Sequence, residues 1–219
     1  MGTGGRAAAA LCAAAVVLGG AIDRWGRRSG ASADEVAGPL PGDPLVERPM
    51  WSSTRAITVR AAPADVWPWI AQMGFPSHRA GWYTPHWLDR AMWGVRARSA
   101  DRVVPELQHV VVGDRIPDSA DGAVYFTVAA VDPPTALVLH STRHLLPPYS
   151  AIDFTWAFVV RPAGPGRSRL LIRSRAAFAP AWPAPLTRAF VWLVVGPGDL
   201  VNATAMLRGV RRRAEALTR

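Results

Sequence analysis

Cysteine is almost absent: Cys12 is the only one in 219 residues, which excludes an intramolecular disulfide framework and a cysteine zinc site. Lysine is missing altogether, so all 25 basic residues are arginine. Alongside abundant alanine, proline and glycine this marks a GC-rich coding sequence and weakens any functional reading of the formal charge of +9. Nucleic-acid binders gather basic residues on one face. Here they are scattered, except for Arg24, Arg27 and Arg28 and for the group between Arg208 and Arg213, so no nucleic-acid partner is expected. The chain also lacks GxSxG, a P-loop, a Rossmann glycine run and HExxH, leaving nucleophilic, phosphoryl-transfer, nucleotide and zinc-protease chemistry without a basis. No cofactor and no metal site are expected, and no catalytic residue is assigned. His140 and His144 have i, i+4 spacing, but they fall at a strand end and loop, where that spacing loses its helical meaning. Asp101, Glu106 and His109 are the nearest acid/base candidates and read as surface groups.

What is present is apolar. Half of the residues are hydrophobic and ten are tryptophan, enough to bury a core and form one folded domain. Ala7 to Ile22 is an uncharged apolar run followed by Asp23, Arg24, Arg27 and Arg28. It falls between a membrane span of about twenty residues and the shorter core of a secretory signal. Residues 1–29 are therefore read as an N-terminal membrane anchor or a signal segment. The arginines after the run favour a single anchor with the domain in the cytoplasm; the alternative is export. Residues 30–50, with Pro41-Gly42-Asp43-Pro44, suit a linker or an arm lying on the domain surface. The folded domain is then 51–219.

Within it, Thr54 to Arg60 alternates like a half-buried strand. Pro63 to Gly74 spaces Val66, Trp69, Ile70 and Met73 as one face of a short helix, with a kink expected at Pro68. Ala123 to Val131 and Ala136 to His140 read as an antiparallel pair. In Ile152 to Val160, Phe154, Trp156, Phe158 and Val160 alternate with Asp153, Thr155 and Ala157, and a loop leads into Arg169 to Ala177. This predicts a twisted antiparallel sheet buried on one face. The chain ends in an amphipathic helix whose stripe is Leu200, Ala203, Leu207, Val210, Ala214 and Leu217.

The order of elements, with the words AITVRAAPADVWPWIAQMG, GWYTPHWLDR and LRGVRRRAEAL, resembles the SRPBCC superfamily, also called START-like or polyketide cyclase/dehydrase-like, over about Ala33 to Leu217. The resemblance implies an α+β helix-grip fold, in which a curved antiparallel sheet wraps a long C-terminal helix and encloses an apolar cavity. Members use that cavity for lipids, sterols, hormones or polyketides, and a minority catalyse. No catalytic motif is shared, so only the fold and cavity carry over.

The implied function is binding of a small hydrophobic ligand by a membrane-tethered domain; the alternative is a cyclase- or dehydratase-like enzyme using the same cavity. Ala80 to Gly94 (AGWYTPHWLDRAMWG) holds three tryptophans, a tyrosine and a histidine, and in such folds this segment covers the cavity mouth. Trp82, Tyr83 and Trp87 are then ligand-facing, with core packing as the competing role, and the same choice applies to Trp156. His86 is a candidate partner for a ligand's polar end. Arg143, with His144, is a candidate for a carboxylate at the cavity entrance, a solvated loop being the alternative.

Overall fold

The computed structural model describes residues 23–146, 149–179 and 183–217. Its centre is a six-stranded sheet: β1 (Trp51–Val59), β2 (Arg115–Pro117), β3 (Tyr125–Asp132), β4 (Ala136–Leu146), β5 (Tyr149–Pro162) and β6 (Ser168–Ala179). The spatial order is β1-β6-β5-β4-β3-β2, and every neighbouring pair is antiparallel. Six α-helical segments accompany it among the described residues. A helical turn at 23–27 precedes α1 (Ala33–Ala37); α2 (Pro63–Ala71) and α3 (His86–Trp93) follow β1; α4 (Ala184–Phe190) passes through a π-helical turn at Val191–Val195 into α5 (Gly196–Leu217).

The last helix lies on the inner face of the sheet because the two apolar stripes match. On β5 the inward residues Trp156, Phe158 and Val160 join Leu170 and Ile172 of β6 and Met206, Leu207, Val210 and Ala214 of α5 in one buried cluster. Helix α2 adds Val66, Trp69 and Ile70 to the same cluster, and it runs through Pro68 without ending there. The stripe on α5 is shorter than its periodicity implies. Leu217 is exposed.

The sheet's outer face is also partly covered, contrary to the expectation of one buried face. Residues 31–46 lie across it. Ser32 caps α1 and forms a capping box with Glu35, and Leu40 packs on Ala56, Ala136, Val159 and Leu171 in a second small cluster. Outward-facing arginines of β6 hold this arm. Arg169 grips both oxygens of Glu35 at 2.6 and 2.8 Å; Arg173 donates to Asp43 and to the carbonyls of Glu35, Val36 and Gly38; Arg175 donates to the carbonyl of Val46. The hydrogen bond from Arg169 holds the Glu35 carboxyl below its ordinary range, so the clamp is ionised at neutral pH.

The expected membrane placement is corrected. Among the described residues, one helix is long and apolar enough to cross a membrane by length and composition, and it is Ala184–Leu217 at the C-terminal end, much of which is the helix gripped by the sheet. This overturns the reading of a single N-terminal anchor with a cytoplasmic domain. Ala7 to Ile22 lies outside the described residues.

Candidate functional site

Between the sheet and α5 the packing opens into two adjoining chambers. The first has a volume of about 320 Å³ and is bordered by Phe75, Trp82, Thr84, Asp89, Asp118 and Trp156 among others. The second, about 350 Å³, is more apolar: Trp51, Ile152, Phe154 and Phe178 of the sheet face Phe190, Val194 and Val195 at the entry to α5. Asp118, His144, Trp156 and Asn202 border both chambers and form the waist between them.

The aromatic wall follows from strand alternation, which sends residues two apart on β5 to one face. Phe154, Trp156 and Phe158 succeed one another with ring centroids 5.7 and 5.5 Å apart. Phe126 of β3 lies beside Phe154 and Trp156 at 5.7 and 5.8 Å. Trp82 closes the wall, 5.2 Å from Trp156. It arrives there because residues 81–84 cross α5 at Gly209, where a Cβ would stand 2.0 Å from the carbonyl oxygen of Tyr83. Only glycine admits that approach.

His144 stands at the waist because β4 continues beyond His140. The strand was expected to end there, with Arg143 and His144 in a loop; instead it pairs with β5 as far as Leu146 opposite Tyr149, with irregular register between Ser141 and His144. The His144 ring stacks on Phe126 at 4.6 Å. Its Nε2 lies 3.1 Å from Asp118 Oδ2, while its Nδ1 is buried with no hydrogen-bond partner among the described residues. His140 pairs separately with Asp153 at 2.7 Å, so the two histidines answer to different carboxylates.

A second polar cluster backs the apolar chamber. Asp199, which borders it, accepts from Arg55 Nη1, from Ser53 Oγ at 3.0 Å and from Ser174 Oγ at 3.2 Å. Burial pushes its carboxyl up, opposed by Arg55 and the two serines. Arg55 is 1% exposed and also donates to the carbonyl of Gly26. In the first chamber, Asp89 accepts from the Thr84 hydroxyl; burial raises its carboxyl above the ordinary range, and the Thr84 bond works against that shift.

The residues singled out in the sequence separate. Trp82 and Trp156 meet in the chamber wall. Tyr83 is fully buried, edge-on to Trp69 at 5.9 Å and under the Arg213 guanidinium at 4.7 Å, and burial raises its phenol well above the ordinary range. His86 opens α3 and borders neither chamber. Trp87 is 70% exposed and flanks an outer groove with Trp25 and Leu200. The side chain of Arg143 lies outside the described residues. Asp101, read as surface charge, is 91% exposed in a pair with Arg213. His144, offered with Arg143 as a candidate for a carboxylate at the cavity entrance, stands at the waist beside Asp118, whereas Asp118 and Asn202 were not singled out. Nothing local marks Asp118 or Asn202, and the irregular register before His144 hides its place on the inner face.

An antiparallel sheet gripping a C-terminal helix, with a cavity between them, is a helix-grip fold. Among solved structures the chain is similar to a START superfamily protein from Mycobacterium smegmatis, at 12% identity over 76% of this chain and 98% of that one, with a TM-score of 0.42. It is also similar to the Zhui aromatase/cyclase from Streptomyces sp. R1128, at 15% identity over 77% and 96%, with a TM-score of 0.43. A further likeness is to a protein from Mesorhizobium loti, at 15% identity over 76% and 98%, with a TM-score of 0.43. At such scores the fold assignment stands on the strand order and the gripped helix. No family model matches the chain, and no curated protein matches it.

Proposed function

We propose that the domain binds a small apolar molecule in the two chambers between the sheet and α5. The observation that carries this reading is the second chamber, a space of about 350 Å³ walled by Trp51, Phe126, Ile152, Phe154, Trp156 and Phe178. Ligand pockets commonly occupy about 300–1,000 Å³, with apolar walls and a few polar groups that fix orientation. Burying ligand surface there supplies roughly 25 cal/mol per Å² of apolar area, less the cost of immobilising the ligand.

A second reading, an enzyme acting in the same cavity, is favoured by one observation. With Nε2 3.1 Å from Asp118 Oδ2 and the buried Nδ1 unpartnered among the described residues, His144 in its neutral Nε2–H form presents a lone pair at the waist that can act as a base. Such a base suits removal of a proton next to a ligand carbonyl, with the electron pair passing to the carbonyl oxygen as an enolate.

Calorimetric titration with naphthalene, a rigid hydrocarbon small enough for either chamber, tests the first reading. Saturable one-site binding is expected, and its absence contradicts the reading. For the second, the protein is expected to accelerate deuterium exchange at the α-carbons of 2-tetralone, and His144→Gln to abolish the acceleration. Binding without any accelerated exchange leaves a carrier or sensor of apolar ligands.

A further inference from the structure

Three polar atoms beside the waist are buried and have no hydrogen-bond partner among the described residues: Trp82 Nε1, Trp156 Nε1 and His144 Nδ1. Their side chains border the first chamber together. Buried N–H groups are nearly always paired in folded proteins, and an unpaired one is costly. An indole nitrogen can only donate. Trp156 itself is 5% exposed, which leaves little bulk water to answer its N–H. The missing partner of the two indoles is therefore an acceptor. The unpartnered Nδ1 of His144 is the opposite kind of group, an acceptor when the ring carries its proton on Nε2, the nitrogen 3.1 Å from Asp118.

Charge narrows the choice further. The chambers are bordered by Asp89, Asp118 and Asp199, and among the described residues no arginine lines either one. Arg55 is engaged by Asp199 and by the carbonyl of Gly26. A ligand carboxylate entering this space would meet Asp118 and find no arginine to pair with among the described lining residues.

Building on the apolar-ligand reading, we infer that the ligand is a neutral apolar molecule bearing a hydroxyl or carbonyl oxygen, which sits at the waist and accepts from the indole N–H groups of Trp82 and Trp156. Where that oxygen is a hydroxyl, it donates its own proton to His144 Nδ1. The rest of the molecule occupies the apolar chamber against Phe154 and Phe178.

The test compares naphthalene, 2-naphthol and 2-naphthoate by calorimetry at pH 7, where they are respectively apolar, neutral with one hydroxyl, and anionic. The full chain is expected to bind 2-naphthol about tenfold more tightly than naphthalene and than 2-naphthoate, the gain typical of satisfying a buried polar group. Trp82→Phe and Trp156→Phe keep the apolar wall and remove the N–H. Each is expected to reduce the preference for naphthol over naphthalene, measured on the same variant, to less than about threefold. Equal affinity for naphthalene and naphthol, tighter binding of naphthoate, or an undiminished naphthol preference in both variants overturns the inference while the apolar-ligand reading stands. Failure of all three compounds to bind overturns that reading and the inference together.

Discussion

Asp199→Ala is expected to lower the free energy of unfolding by ~3–5 kcal/mol, because it leaves a charged guanidinium uncompensated inside the domain. Arg55 is 1% exposed. It points from β1 toward the start of α5, where Asp199 supplies its counter-charge and Gly26 and Ser53 take up further N–H groups. With the carboxylate gone, Ser53 and Ser174 also lose the acceptor that orients their hydroxyls. The loss reflects the uncompensated charge more than the worth of the pair, so the double variant Arg55→Met/Asp199→Leu is expected to recover most of it. Urea denaturation of the wild type, the single variant and the double variant checks this. A single-variant loss below about 1 kcal/mol would mean that Arg55 remains hydrated and that the cluster is not a closed ion pair.

Leu207→Ala is expected to cost ~2–5 kcal/mol, the range for truncating a large aliphatic side chain in a packed core. Leu207 is 4% exposed and lies in the cluster that joins α5 to Trp156, Phe158 and Ile172. Arg212, five residues on, is exposed, and Arg212→Ala is expected to stay within about 0.5 kcal/mol of wild type. Chemical denaturation of both variants decides the point. A ranking in which the arginine matters more would remove α5 from the centre of the fold.

The parts of the fold legible in the sequence are those fixed by a single periodicity. Phe154, Trp156, Phe158 and Val160 alternate, and they form the inner face of β5. Ala203, Leu207, Val210 and Ala214 recur at helical spacing, and they are the buried stripe of α5. The covering of the outer face was not legible, because Arg169, Arg173 and Arg175 look like a solvated strand face until the carboxylates and carbonyls of residues 35–47 are brought onto it. Irregular pairing has the same effect on β4. The register slips between Ser141 and His144, so no simple alternation connects His140 with the histidine at the waist. Trp82 and Trp87 show how little proximity in sequence says about a site. The positive φ of 61° at Tyr83 and the start of α3 at His86 turn the chain, leaving one tryptophan in the chamber wall and the other in solvent.

The most direct test of the cavity is a pair of titrations on Trp82→Ala and Trp156→Ala, one with urea and one with naphthalene. A residue in a filled core loses ~3–5 kcal/mol when a large aromatic is cut to alanine. A residue that walls a void already lacks neighbours on one side and loses less, whereas the ligand loses a contact face. The predicted result is that each variant binds naphthalene at least about tenfold more weakly than wild type and falls short of that full stability loss. Full core-scale destabilisation with naphthalene affinity unchanged, or no saturable binding by the wild type, would contradict a ligand chamber at Trp82 and Trp156 and leave both as packing.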